Sequence, residues 1–291
     1  MPKAARSRLP PLAAAAADKP SMRRVATILF CVPACFTALP AQTPPPADAR
    51  IIAGRIPEHF SKGKPRPAPR LPDGKPDLGN GKGSWNPRIL ENIAGVGPGA
   101  PERKAVDKVV DVPFQPWARQ IYEQRIADLQ KDDPEARCLP PGIPRLYQTP
   151  FPFQIFQMTD RVLFVFEGGA HFWRAVYTDG RPHPKDPNPS WLGDSIGRWE
   201  GDTLVVDTVG FNDRSWLDQD GHPHTEALHT VERIERTDEA TLHYQVTIED
   251  PNAYTKPWTT SYTIPWAAGQ EPMEYVCNED NSRDLPHLVG K

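Results

Sequence analysis

Apolar and polar residues alternate along the second half of the chain, which is typical of β-strands. The alternation is cleanest over residues 241–249, where Leu242, Tyr244, Val246 and Ile248 fall on one side and polar residues on the other. Because the side chains of a strand point to opposite faces in turn, this segment predicts a half-exposed antiparallel strand. The same reasoning predicts further strands at residues 153–157, 161–167, 171–178, 195–199, 203–209, 226–236, 258–264 and 273–277.

The connections between several of these segments are short. Residues 200–202 and 237–239 each separate two predicted strands, which indicates hairpins. No helical pattern lies between the strands, so the sequence predicts a mainly β fold. The hairpin order favours an antiparallel up-and-down barrel of lipocalin-like shape, with a sandwich as the alternative.

One helix is predicted before the strands, over residues 115–131. Pro116 suits a first helical position, where its missing N–H costs nothing, and Trp117, Ile121 and Leu129 form a rough apolar stripe. The helix therefore opens the segment of residues 114–291, which we interpret as a single β-rich domain.

Proline and glycine dominate residues 42–113, and we expect an irregular Pro-rich N-terminal arm there. The 36 prolines of the chain explain why only 38% of its residues are hydrophobic. Trp85 is an apolar anchor within this polar segment, so we expect the arm to pack onto the domain.

The first 41 residues predict export. Arg23 and Arg24 precede an apolar run at residues 25–38, and Ala41 offers a small residue for cleavage, which is the order of a secretory signal peptide. The run is too short to span a membrane comfortably. We therefore interpret residues 22–41 as a signal peptide.

This interpretation places the mature protein in the periplasm or outside the cell, with no transmembrane span after cleavage. Residues 1–21 are then a mis-called start, with Met22 as the first residue. A lipoprotein anchored at Cys35 is the alternative, because residues 32–35 loosely resemble a lipobox.

Cysteine usage predicts a covalent bond within the chain, and the net charge bears on its possible partners. Two of the four cysteines, Cys138 and Cys277, lie outside the predicted signal. In an oxidising compartment such a pair predicts a disulfide, with two buried free thiols as the alternative. The formal net charge of −3 gives no electrostatic reason to expect a nucleic-acid partner.

From about residue 71 onward the chain carries five distinctive runs. They are LPDGKPDL at 71–78, RPHPKDP at 181–187, GRWEGDTLVVDT at 197–208, GFNDR at 210–214 and HPHTEALH at 222–229. These runs resemble those of a large family of uncharacterised exported bacterial proteins. The resemblance implies export and a single domain, and since the family has no settled activity it implies no particular chemistry.

The densest polar cluster is the HPHTEALH run. In an extended chain His222, His224 and Glu226 project to one side, and a bulge would bring His229 beside them. Imidazole and carboxylate groups so placed could bind zinc or another divalent metal ion, with His222, His224 and His229 as the ligands. The alternative is a polar loop whose histidines cap turns.

A second cluster lies on the predicted strand at residues 171–178. His171, Arg174 and Tyr177 could bind a ligand there, with Arg174 clamping a carboxylate or phosphate. An ion pair between Arg174 and Glu167 or a nearby aspartate is the alternative.

Two further residues are candidates because of their surroundings. Asp207 lies between apolar residues and could act as an acid or base, or simply pair with Arg198. Trp216 could be the aromatic anchor of a polar lid formed by residues 210–221.

These residues leave three hypotheses open. The first is an exported barrel that binds a small polar or carbohydrate-like ligand. The second is a metal-assisted lyase, isomerase or hydrolase that uses His224, Glu226 and Asp207 as catalytic residues. The third is a structural or assembly protein of the cell envelope, with the arm as its contact. Ser195 and Ser215 lack the glycine context of a nucleophile elbow, which weighs against a covalent hydrolase.

Overall fold

A computed structural model describes residues 65–95, 106–168 and 172–277. All of them belong to one compact unit that spans Ile51–Lys291. The predicted signal peptide, the predicted mis-called start, the alternative anchor at Cys35 and the candidate ligand residue His171 lie outside the described residues.

The predicted mainly β fold is confirmed, and its strands form a closed barrel. The strands are β1 (Gly83–Trp85), β2 (Phe153–Gln157), β3 (Arg161–Phe166), β4 (Trp173–Tyr177), β5 (Asp194–Glu200), β6 (Thr203–Val209), β7 (His229–Asp238), β8 (Thr241–Glu249) and β9 (Trp258–Ala268). Among the described residues between β1 and β2 are the α-helix α1 (Pro116–Ala127) and two short 3-10 helices, Glu135–Arg137 and Arg145–Tyr147.

Neighbouring strands follow each other around the ring in chain order, and β1 closes it by pairing with both β9 and β2. All pairs are antiparallel except β4 and β5, which run parallel and share the single pair Tyr177–Ile196. The connection of residues 178–193 therefore carries the chain back along the barrel before β5 begins.

The two ends of the barrel differ. The short turns at residues 158–160, 201–202 and 239–240 lie at one end, which we call the turn end. Helix α1 and the long connections at residues 86–152, 210–228 and 250–257 lie at the other, which we call the helix end. At the helix end, the Gln115 N–H donates to the Ala253 carbonyl and the Trp117 indole donates to the Asn252 carbonyl.

The described part of the arm belongs to the barrel instead of standing apart from it. Trp85 is fully buried, as expected for an arm that packs onto the domain, but β1 itself is a strand of the ring. A Cβ atom on Gly83 would lie 2.4 Å from the Ala267 carbonyl oxygen, so glycine permits the close approach of β1 to β9. The boundary placed at residue 113 therefore does not separate the arm from the barrel.

The arm also covers the turn end. Arg70 binds the Asp202 carboxylate through two hydrogen bonds of 2.8 and 2.6 Å. The Arg236 guanidinium donates to the Asp77 carbonyl and lies over the rings of Trp85 and Trp266, about 5 Å from each centroid.

The helix end is filled by residues 133–149, which we call the plug. Tyr147 of the plug inserts into the barrel, where its ring contacts Tyr244 at 4.7 Å and Phe153 at 5.3 Å between centroids. Arg145 fixes the base of the plug through buried hydrogen bonds of 2.7 and 2.6 Å to Asp133.

The predicted disulfide between Cys138 and Cys277 is present, with sulfur atoms 2.07 Å apart and Cα atoms 5.7 Å apart. It ties the plug to the last described segment. The strand predicted at residues 273–277 is wrong: this segment has no ladder partner, and the Met273 N–H donates to the Glu167 carboxylate instead.

Helix α1 buries a different face from the predicted stripe. Ala118 and Tyr122 are its buried residues, whereas Trp117 is 42% exposed and Leu129, beyond the helix, is 83% exposed. The tryptophan is held at the surface because its indole N–H is used by the Asn252 carbonyl. Within the described ranges, no helix is long and apolar enough to cross a membrane.

Candidate functional site in the barrel interior

The predicted site residues are distributed over three places and do not form one site. Arg174 points into the barrel, and His222, His224 and Trp216 are buried at the helix end. Asp207, His229 and Tyr177 lie partly exposed on the outer face, and Glu226 is exposed. Asp207, on the outer face, is therefore separated from the buried His224 at the helix end, with which it was a candidate catalytic residue.

Arg174 is the hub of a polar network inside the barrel. It forms a two-point ion pair with the buried carboxylate of Glu232, not with Glu167. Its remaining N–H groups donate to Ser195, Thr208 and Tyr147 at 2.8–3.1 Å. All five guanidinium donors are thus used within the protein, so Arg174 is not a free clamp for an anion.

The charges in this network are mutually compensated. Burial alone would lower the pKa of Arg174, but the adjacent Glu232 carboxylate raises it above its ordinary value. The Tyr244 hydroxyl also donates to Glu232 at 2.9 Å. The interior therefore holds an ion pair with no excess charge.

Beside this network lies a set of buried polar atoms without hydrogen-bond partners. They are the amide nitrogen and oxygen of Gln148, the hydroxyls of Thr230 and Tyr262, and the indole nitrogen of Trp258. Leaving such a group unpaired costs about 1–3 kcal/mol, and most buried polar groups in proteins are paired. Four residues with orphaned atoms in one barrel are therefore a candidate site.

The strand register places Thr230 and Trp258 at one level of the interior and Tyr262 nearer the turn end. Thr230 of β7 and Trp258 of β9 both lie opposite Ile248 of β8, so all three share the inward face. Tyr262 lies four residues beyond Trp258, on the same face of β9. Gln148 enters from the plug next to Tyr147, and its amide lies close enough to Tyr262 to affect that hydroxyl. We call these four residues the interior site.

Tyr262 is packed among other aromatic rings. Burial raises the pKa of Tyr262 well above its ordinary value, an effect that the neighbouring Gln148 amide partly opposes. The Tyr262 ring contacts that of Tyr244 at 5.2 Å, and Tyr244 contacts Tyr147. The interior site thus combines hydrogen-bonding groups with flat apolar surfaces and carries no net charge.

His222 belongs to a structural hub at the helix end. Its Nδ1 donates to Asp218 at 2.6 Å, and its ring is stacked against Phe114 and Tyr122. Burial opposes ionisation of Asp218, but His222 and the Ile93 N–H hold the pKa of this carboxyl below its ordinary value. The predicted lid is therefore a packed loop; Trp216 within it is buried under the Arg125 guanidinium, 4.3 Å from the ring centroid.

His224 has different partners. Its Nε2 lies 2.9 Å from the Ser215 hydroxyl, and its Nδ1 lies 3.2 Å from the Thr225 carbonyl oxygen. Burial lowers the pKa of His224 below 6.5, and the positive charge of Arg125 acts in the same direction. The imidazole is consequently neutral in the folded protein at neutral pH.

This environment predicts that stability falls as the pH is lowered from about 6.5. In the unfolded state His224 takes up a proton at its ordinary pKa. In the folded state it takes up the proton only at a lower pH, because its pKa there is lower. The stabilising contribution is therefore present above pH 6.5 and is lost as the pH falls toward the folded pKa. Urea unfolding at about pH 7.5 and 5.5 should show a smaller loss of unfolding free energy for His224→Gln than for the wild type. His243→Gln, at a partly exposed histidine paired with Asp107, is the control; an equal slope for His224→Gln and wild type would contradict the expectation.

The outer face carries a chain of histidines and carboxylates. Both His183 and His229 place Nε2 3.0 Å from the same oxygen of Asp207. Their Nδ1 atoms face Asp194 at 2.7 Å and Glu249 at 3.3 Å. Asp207 thus pairs with two histidines; Arg198, its predicted partner, binds Glu200.

The predicted metal ligands His222, His224 and His229 have separate partners, which are Asp218, Ser215 and Asp207. In the described part of the chain, no group of three or more histidine, cysteine, aspartate or glutamate side chains could hold a metal ion. The prediction assumed an extended chain from residue 222, but residues 221–228 form a loop and β7 begins only at His229. The alternation that would align the three imidazoles is therefore absent.

Tyr177 lies on the outer face of β4, between the guanidinium groups of Arg161 and Arg181, which are 5.0 and 3.9 Å from its ring centroid. This position separates it from Arg174, which points inward. The two predicted ligand residues on the same strand therefore serve opposite faces.

The sequence analysis missed Glu232, Gln148 and Tyr262 as candidates. One signal was present for Glu232, which occupies an inward position in a strand where Ile234 marks the core face. No signal was present for Gln148, because the plug has no periodic pattern. Comparison with known proteins adds nothing to this assignment: no family model, curated protein or solved structure matches the chain.

Proposed function

We propose that the protein is an exported β-barrel that binds a small, neutral, hydroxylated ligand at the interior site. The observation that carries the proposal is the set of orphaned buried polar atoms on Gln148, Thr230, Trp258 and Tyr262. A ligand with several hydroxyl groups could pair with all of them, and so offset the cost of their burial.

The chemistry of the interior site favours this ligand class. Gln148 and Trp258 supply N–H donors, Gln148 supplies a carbonyl acceptor, and the hydroxyls of Thr230 and Tyr262 can do either. Aromatic surfaces suit the apolar face of a sugar ring. An anion or cation fits less well, because Arg174 and Glu232 already neutralise each other.

Export to the periplasm or the medium is part of the proposal. Its supports are the predicted signal at residues 22–41 and the bond between Cys138 and Cys277, which suits an oxidising compartment. The metal-assisted alternative loses its main support because the three histidines are separated.

The test is a binding experiment on the full chain with a panel of neutral monosaccharides and polyols at millimolar concentration. Binding should raise the midpoint of thermal unfolding, since a ligand that binds only the folded state stabilises it. For any compound that does so, Tyr262→Phe should weaken the affinity about 2- to 12-fold, as expected for one neutral hydrogen bond of about 0.5–1.5 kcal/mol. Tyr177→Phe is the matched control, because this ring lies on the outer face.

Two stability measurements separate a ligand site from a purely structural interior. Tyr262→Phe removes a hydroxyl whose polar neighbour is the uncharged Gln148 amide, so without ligand it should lower the unfolding free energy less than loss of a hydrogen bond to a carboxylate does. Tyr244→Phe removes a hydrogen bond to a carboxylate and should lower it by about 1.5–3 kcal/mol. A panel with no thermal shift, or an equal loss of affinity in Tyr177→Phe and Tyr262→Phe, would reject the interior site.

A further inference from the structure

The contact between Ser215 and His224 has a defined proton arrangement. The Thr225 carbonyl oxygen can only accept a hydrogen bond, so the Nδ1 of His224 must carry the proton of the neutral ring. The Nε2 atom is then an unprotonated acceptor, and the Ser215 hydroxyl donates to it at 2.9 Å. A serine hydroxyl hydrogen-bonded to an unprotonated imidazole nitrogen is the arrangement of a nucleophile and its general base.

The imidazole is also held in orientation. Thr225, whose carbonyl receives the Nδ1 proton, is itself fixed by two hydrogen bonds to Asp250, from its N–H at 2.6 Å and its hydroxyl at 3.0 Å. The Asp250 carboxylate further accepts from the backbone N–H groups of Asn252 and Ala253. A third group that orients the base completes the logic of a catalytic triad, here with a carbonyl in the orienting position.

Ser215 and His224 are both buried, and Ser215 packs closely against Gly142 of the plug. Ser215 is 4% and His224 is 5% exposed. A Cβ atom on Gly142 would lie 2.4 Å from the Ser215 hydroxyl oxygen, so glycine is required at that position of the plug. Arg125 supplies a positive charge whose influence reaches His224.

We propose that Ser215 is a nucleophile activated by His224 and that it accepts small acyl groups from esters. The Ser215 oxygen forms a bond to the acyl carbon while its proton passes to Nε2 of His224. The bond to the leaving alkoxide then breaks, and Nε2 returns the proton to that oxygen. Water, deprotonated by the same Nε2, then forms a bond to the acyl carbon. The bond between that carbon and the Ser215 oxygen breaks, Nε2 returns the proton to the Ser215 oxygen, and the acyl group leaves as a carboxylic acid.

The test is covalent labelling of the full chain with a small fluorophosphonate, followed by peptide mapping by mass spectrometry. In this reaction the Ser215 oxygen forms a bond to phosphorus, fluoride leaves and the proton passes to His224. Ser215 should be labelled in the native protein and not in urea. Ser261 is the matched internal control, since its hydroxyl is more accessible but donates to the Asp107 carboxylate and has no imidazole partner.

Two variants distinguish activation from simple exposure. Ser215→Ala should abolish the label, and His224→Gln should slow labelling of Ser215 at least about 100-fold, while Ser261→Ala leaves the rate unchanged. Circular dichroism and the thermal midpoint establish that each variant is folded. A native protein that is not labelled at Ser215, a label that falls on Ser261, or a rate that His224→Gln leaves unchanged would each overturn the proposal.

Discussion

Replacement of Arg174 by methionine should lower the unfolding free energy by about 3–5 kcal/mol, the largest effect expected of any single substitution in this barrel. The variant leaves the Glu232 carboxylate buried without its cation and removes the hydrogen bonds that Arg174 donates to Ser195, Thr208 and Tyr147. Burial of an uncompensated charge is the dominant cost. Urea unfolding at neutral pH, followed by tryptophan fluorescence, measures the effect.

The matched control for Arg174→Met removes the charge on both sides. In the double variant Arg174→Met with Glu232→Leu no ion remains to be desolvated, so it should be more stable than Arg174→Met alone. If the unfolding free energy of the double variant falls by the sum of the decreases in the two single variants, the ion pair is not the source of the stability.

Loss of the disulfide should have a comparable effect. The bond between Cys138 and Cys277 closes a loop with a sequence separation of 139. In the chain-entropy model so long a loop stabilises the folded state by about 5 kcal/mol, although measured values are often lower. Unfolding of the variant Cys138→Ser with Cys277→Ser, compared with the wild type, gives this difference.

The disulfide prediction has an internal control in the wild type itself. Reduction of the wild-type protein should lower its stability to that of the double serine variant, while the reductant should leave the double variant unchanged. The unfolding free energy should fall, and the plug should become more accessible to hydrogen exchange because its tie to the last described segment is gone. Equal stability of oxidised and reduced protein would contradict the expectation.

The sequence predicted the bounds of β2 and β8 well, and both are rich in residues that favour strands. In β8 buried and partly exposed residues also alternate, which shows a core face and a solvent face. The three-residue strand β1 could not be found this way, because three residues define no period. The segment at residues 273–277 shows the reverse error: its composition suits a strand, but the ring is already closed by β1 and offers no edge.

The candidate site was harder to predict than the fold. The histidines of residues 222–229 were conspicuous, yet His222 binds Asp218 and His224 binds Ser215, and neither shares a partner with His229. The interior site depends on which polar residues point inward and on where the plug lies, and the latter has no local signal. Sequence patterns identify unusual residues, but whether a polar group is paired is decided by tertiary contacts.

Strand β1 also constrains when the barrel can close. Its main partner is β9, so that Gly83 pairs with Ala268 across most of the chain, while its contact with β2 is the single pair Trp85–Phe153. Pairings of such high contact order form late, because a long loop must be ordered before they are made. A polypeptide that emerges amino terminus first therefore cannot complete this ring until nearly all of it has been released. For a chain that crosses a membrane unfolded, the late pairing of β1 with β9 delays closure of the barrel until translocation is finished.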